Sequence, residues 1–304
     1  MPAALVHQVA IVSESSQIKL ADLTRVSAAL QKQASRDLAP IWQVSATVDA
    51  FAKLEDVPDG YWPIIIKDDI DTAGAAGVHM DKDGQPFALV TASDKFDEWT
   101  LTTSHEMCEM LVDPSGNKQV TGDSPQPGQG RVSFLVEVCD PAEAADFAYS
   151  VNGILVSDFY TPHYFDPVTA SGVRYSYTGA ISQPRQVLRG GYLSWKDPVS
   201  GHWWQQVWLE GGQPSFRDLG PANARAGCIR AFIDRITAAD TARAVARGRM
   251  NAGRAGLTQA AAQASLDGNA IMWRQQINSI LGRSSARSGA AKTTRPRRSA
   301  RKKR

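Results

Sequence analysis

The sequence predicts a mixed α/β protein of the α+β kind: a zone of mixed sheet carrying a functional helix, a hairpin-rich middle and a helical C-terminal region. Three observations predict it. β-Type runs alternate with helical periodicity in the N-terminal part, Asn152-Gly153 lies between two apolar runs, and alanine is frequent from Pro221 to Leu281.

The apolar-rich stretch Leu5 to Val12 reads as a strand. Leu20, Leu23, Val26, Leu30 and Leu38 then recur near helical spacing, and Pro40 is expected to close that helix. Ile41 to Phe51 returns to β-type composition. Trp62 to Ile66 is a third strand running into Lys67-Asp68-Asp69 and a Gly74 to Gly77 loop, and Pro86 to Ala92 is a fourth. A short helix of about three turns is expected between a cap at Thr102, Thr103 or Ser104 and a stop at Pro114. The predicted order is β-α-β-β-β-α, with the chemistry on the second helix.

Pro114 to Gly130, rich in Gly, Pro, Ser, Asp and Gln, is expected to be a surface loop. Arg131 to Cys139 alternates, with Val132, Phe134, Val136 and Val138 on one face, and ends at Asp140-Pro141. Asn152-Gly153 has the residues that a type I′ hairpin turn requires. Tyr164 to Phe216 is loop-rich and aromatic, and its tryptophans read more readily as cross-strand pairs in a hairpin than as a substrate groove. Four stretches follow: a core over 1–167, an aromatic loop and hairpin region over 168–220, a helical region over 221–281 and a basic tail over 282–304.

With 304 residues, 43% of them hydrophobic, the chain has material for a large core. Met1 to Ala10 has no basic segment ahead of a continuous apolar run, and no later segment approaches the roughly eighteen apolar residues of a membrane span. The cysteines Cys108, Cys139 and Cys228 are odd in number and widely spaced, which argues against a disulfide framework. A cytoplasmic protein is expected. The net charge of +2 hides an asymmetry: ten Lys/Arg and no acid follow Gly282, so the rest carries 23 basic against 31 acidic residues. Such a tail cannot bury a core and is expected to be disordered alone, contacting nucleic acid, an anionic surface or an acidic protein.

The informative stretch is Thr103-Ser104-His105-Glu106-Met107-Cys108-Glu109-Met110-Leu111-Val112-Asp113-Pro114. On a helix His105 and Glu109, four positions apart, project from one face and can reach one cation. Glu106 is displaced by about 100° around the helix, where a carboxylate can take a proton from water acidified by that cation. Cys108, with no basic neighbour, reads as a buried small side chain rather than a nucleophile.

These residues resemble the H-E-x-x-H helix of zincin metallopeptidases, with Glu109 in place of the second histidine, and the preceding β-α-β-β-β order matches theirs. Ser-His-Glu-x-x-Glu-Met-Leu-Val-Asp-Pro with Glu137-Val138-Cys139-Asp140-Pro141 is similar to a group of uncharacterised bacterial and phage-associated proteins, over roughly residues 60 to 170. The zincin resemblance implies a metal-dependent hydrolase of peptides or proteins, with Glu106 as general base and His105 and Glu109 on Zn2+ or another divalent ion that the extra carboxylate admits. Third-ligand candidates are Glu137, Asp140, Asp113 and His79; a gluzincin-like arrangement favours Glu137. Tyr160 or His163 are candidate donors to the substrate oxygen. Two alternatives stand beside this reading: a solvated helix face bearing Glu106 and Glu109 with a structural His105, and a non-catalytic binding or assembly protein of zincin-like fold that docks through its tail.

Overall fold

A computed structural model of the chain describes residues 5–72, 75–208, 212–222, 228–234 and 236–237. Most of the expected helical region over 221–281, and the whole tail over 282–304, lie outside the described residues. Both sheets and helices are present, as the sequence predicts.

The first sheet has five strands: β1 (Val6–Ser13), β2 (Ser45–Ala50), β3 (Trp62–Lys67), β4 (Gly77–Lys82) and β5 (Gln85–Thr91). Its order is β2-β1-β3-β5-β4, parallel except for the antiparallel edge strand β4. Val9 to Val12 of β1, in the middle of this parallel sheet, are fully buried, as strands covered on both faces are. Helix α1 (Leu20–Lys32) lays Leu23, Val26 and Leu30 into the core.

Pro40 does not close that helix. α1 widens into a π-helical stretch at Gln33–Leu38 and resumes as α2 (Ala39–Trp42), ending on left-handed Gln43. The wider turn shifts the bonding register, so Pro40 falls in a first turn, where its missing N–H leaves no helical bond unmade.

Helix α3 (Phe96–Val112) begins well before the expected cap at Thr102 to Ser104. The threonine and serine hydroxyls serve other bonds: Thr103 Oγ1 donates to the Trp99 carbonyl at 2.7 Å, and Ser104 Oγ donates to Gln33 Oε1 at 2.8 Å. The helix C-terminus is closed by Asp113, which accepts from Ser115 Oγ at 3.1 Å and from the Lys118 N–H at 2.7 Å.

A second, antiparallel sheet of order β12-β11-β10-β7-β6 uses β6 (Gln119–Asp123), β7 (Arg131–Leu135), β10 (Tyr192–Lys196), β11 (His202–Val207) and β12 (Ser215–Pro221). β6 thus lies inside the expected surface loop. The aromatic segment does form a hairpin: Trp195 of β10 faces Trp204 of β11, and Trp195 is buried. Between β7 and β10, β8 (Tyr149–Val151) and β9 (Ile154–Val156) form the hairpin expected at Asn152-Gly153, whose φ values of 52° and 77° are both positive as type I′ demands. Among the described residues no helix is long and apolar enough to cross a membrane.

Candidate metal centre

α3 carries the motif with its polar face turned inward. His105, Glu106 and Glu109 are 8%, 2% and 0% exposed, so the two glutamates do not form a solvated face. Burying carboxylates is costly unless something compensates their charge, and the surroundings are built around that need.

β4 faces the helix. Its His79 is fully buried, and Nδ1 stands 3.6 Å from Glu106 Oε2 and 3.5 Å from Glu109 Oε2. At the head of the strand, a Cβ on Gly77 would come within 2.5 Å of Glu106 Oε1. Only glycine leaves room there for the Glu106 carboxylate.

The third contribution follows β7. The strand expected to run to Cys139 ends at Leu135; one more bond in the same register follows, the Val136 N–H donating to the Lys118 carbonyl, and the chain then bends at Val138 and Cys139, where the Val138 carbonyl accepts from the Tyr160 N–H. The bend carries Glu137 and Asp140 into the cluster. Asp140 Oδ1 lies 3.2 Å from His105 Nε2, and Glu109 Oε1 lies 3.3 Å from the same nitrogen. Glu137 Oε2 lies 4.0 Å from His79 Nδ1. The Cys139 N–H fixes Glu109 by donating to Oε1 at 3.2 Å. Gly191 packs so tightly on this turn that a Cβ there would sit 2.5 Å from the Asp140 carbonyl oxygen.

A fourth contribution comes from the helical segment 229–234. Arg230, 4% exposed, donates from Nη1 to Asp140 Oδ2 at 2.6 Å and to Glu137 Oε2 at 2.9 Å, and lies 3.7 Å from Glu109 Oε2. Asp234 accepts from its Nε at 3.0 Å. Glu143 completes the rim, close to His105 and Asp140.

Burial alone would lower the pKa of both histidines, but the carboxylates around them outweigh it and hold His79 and His105 well above the ordinary range. Glu109 goes the other way: burial would raise it, yet His105 and Arg230 keep it well below the carboxylate range. For Glu137 and Asp140 burial prevails and pushes them up, and Glu143 is raised to about 8 and Asp234 to about 6 by burial first and neighbouring acids next.

Several polar atoms here have no hydrogen-bond partner: both ring nitrogens of His79, Glu106 Oε2, Glu109 Oε2, Glu137 Oε1 and Asp140 Oδ1. Three sets of donor atoms lie within 4.8 Å of one another, namely His105-Glu109-Cys139, His79-Glu109-Glu137 and His105-Asp140-Glu143. Glu109 belongs to two of them, and Glu137 groups with His79 rather than with His105. Asp113 is spent on the helix end, and His163 is exposed and paired with Asp166 at 2.8 Å, away from the cluster. Tyr160 is fully buried against Tyr164 at 4.3 Å, its hydroxyl unpartnered; burial and then Tyr164 and the carboxylates of Glu137, Glu109 and Asp140 raise its pKa. Cys139 is buried behind the helix, its thiol pushed up by burial and by Cys108.

Arg230, Asp234 and Glu143 were not among the sequence candidates. Glu143 follows Asp140 by three positions and belongs to the same acidic stretch, whereas Arg230 has no spacing relation to the motif: 93 positions separate it from Glu137. No family model, no curated relative and no solved structure matches the chain.

Proposed function

We propose that the chain is a metal-dependent hydrolase with a zincin-like core, cleaving a peptide or protein substrate. One observation carries the reading: His105 Nε2 has Glu109 Oε1 at 3.3 Å and Asp140 Oδ1 at 3.2 Å, with Oδ1 making no hydrogen bond. Donor atoms about 2.0–2.2 Å from a common ion stand about 3.3–3.6 Å apart in a tetrahedron, close to each of these two edges at His105, which belong to the sets His105-Glu109-Cys139 and His105-Asp140-Glu143. In this reading Asp140 is the carboxylate beside His105, whereas Glu137 groups with His79. The His and carboxylate donors suit zinc, and the share of oxygen admits another divalent ion.

A bound ion would lower the pKa of a water toward neutrality and polarise the scissile carbonyl. Glu106, whose carboxylate lies close to Gly77 and His79 of β4, would take the proton of that water and pass it to the leaving amine. Tyr160, with its hydroxyl free, is the candidate donor to the substrate oxygen. Supporting a reducing compartment, and so the cytoplasm, all three cysteines are free and buried. The ten-cation tail would add salt-sensitive contacts with nucleic acid, an anionic surface or an acidic protein.

Arg230 favours a second reading. Its guanidinium already supplies a fixed positive charge to Glu137 and Asp140, as in a buried ionic cluster that only holds a binding or assembly protein together. Metal content separates the two. The purified chain should carry stoichiometric zinc or a similar ion by elemental mass spectrometry, and His105→Ala should lose the equivalent that His105 holds; no metal in either would leave the ionic-cluster reading.

A further inference from the structure

We infer that the centre holds two divalent cations, with Glu109 as a bridging carboxylate: one ion on His105 and Glu109 Oε1, with Asp140 beside His105, the other on His79, Glu109 Oε2 and Glu137. This rests on the hydrolase reading for the first ion and adds the second.

Glu109 presents its two oxygens to different partners. Oε1 faces His105 Nε2 at 3.3 Å and Oε2 faces His79 Nδ1 at 3.5 Å. A carboxylate that shares its oxygens between two imidazoles in this way has the geometry of a bridge, and ions so bridged lie about 3.5–4 Å apart. The second set is the more enclosed: His79 and Glu109 are 0% exposed and Glu137 is 5% exposed. Arg230 donates at 2.9 Å to Glu137 Oε2, the oxygen that lies 4.0 Å from His79 Nδ1, and Oε1 of the same carboxylate is unpartnered.

The plain alternative is that His79 is a protonated partner of the surrounding acids. Its nearest carboxylate oxygens stand at 3.5, 3.6 and 4.0 Å, whereas charge-assisted N–H bonds to carboxylates measure about 2.7–2.9 Å. Both ring nitrogens go without a hydrogen bond. An imidazolium buried with both N–H groups unbonded is expensive; a neutral imidazole ligating through Nδ1 turns the same oxygens into fellow ligands. Charge agrees. The cluster gathers Glu106, Glu109, Glu137, Asp140, Glu143 and Asp234 with one guanidinium, Arg230; were all six ionised, a single divalent ion would leave three negative charges in a buried site and two ions would leave one. Glu106 stays outside both sets as the base.

The test strips the full chain with a chelator and titrates it with Mn2+, counting ions by native mass spectrometry and reading electron paramagnetic resonance. The expected result is two Mn2+ per chain with an exchange-coupled spectrum, falling to one uncoupled ion in His79→Gln and in His105→Ala. One ion in the parent chain, lost in His105→Ala and kept in His79→Gln, would overturn the second site and leave the hydrolase reading standing. No ion in the parent chain would overturn both, and two ions without coupling would overturn the bridge. Thermal melts confirm that each variant is folded; if His79→Gln is not, Glu137→Gln replaces it with the same expectation of one ion.

Discussion

Ser104 and Gln33 meet inside the protein: the serine hydroxyl donates to the glutamine Oε1 at 2.8 Å. The Ser157 N–H donates to the same hydroxyl at 2.9 Å, and Gln33 Nε2 donates to the Ser157 carbonyl at 3.1 Å. The ring locks α3 against the π-helical stretch one residue ahead of His105. Ser104→Ala would strand a buried carbonyl and a buried N–H, so it should cost about 1–3 kcal/mol in urea unfolding. A change within about 0.5 kcal/mol, as for a surface site, would show that the ring does not hold the helix.

Glu106 and Gly77 should fail together but for different reasons. Glu106→Gln removes the proton acceptor and should lower kcat by about 10²–10⁴-fold with metal content unchanged. Gly77→Ala puts a methyl group where Glu106 Oε1 now lies, so it should also depress kcat while the ion stays bound. Loss of metal in the Gln variant would make Glu106 a ligand instead.

Arg230→Leu leaves Glu137 and Asp140 without the one guanidinium that pairs with them among the described residues. Removing one partner of a buried pair costs about 3–5 kcal/mol, and the chelator-treated variant should melt correspondingly lower than the chelator-treated parent. Adding divalent ion should then raise the variant's Tm by more than the parent's, because the ion takes over compensation that the guanidinium shares in the parent. Equal shifts in both proteins would separate Arg230 energetically from the ion site.

On the π-helical stretch, Asp37 supplies a pH dependence. Its carboxylate pairs with Arg36 and accepts from Tyr149 at 2.9 Å and Tyr177 at 2.7 Å. Burial would raise its pKa, but the bonds from Arg36, Tyr177 and Tyr149 prevail and hold it below the usual carboxylate value. A folded pKa below the unfolded one contributes stability that is present above the unfolded value and lost as pH falls through the folded value. Melts of Asp37→Asn against the parent should therefore differ most at neutral pH and converge on acidification; a constant gap would refute the assignment.

Periodicity carried much of the fold. β1, β3, β5 and α1 have apolar residues at strand or helix spacing, and Asn152-Gly153 dictates its turn by backbone sterics alone. β4 and β6 escaped because Gly77-Val-His-Met-Asp-Lys and Gln119-Val-Thr-Gly-Asp have loop-like composition; each is an outermost strand made regular by its neighbour. The site was legible where ligands share one helix turn, at His105 and Glu109. Asp140 and Glu137 could both be named, with the resemblance ranking Glu137 first; the bend at Val138 and Cys139 that sets Asp140 beside His105, where the Val138 carbonyl accepts from Tyr160, leaves no mark in the sequence. Arg230 could not be found at all, because its place depends on tertiary packing.

The centre draws on β4, α3, the turn after β7 and the segment 229–234, stretches that are far apart along the chain. Contacts of such long sequence separation form only after loop-closure entropy has been overcome, so they assemble late in folding. An ion ligated from β4, α3 and the turn after β7 finds no site in the partly collapsed chain. It acts on the native state, slowing its loss rather than speeding its formation, and an occupied centre certifies that the chain has folded from β4 to the turn at Asp140.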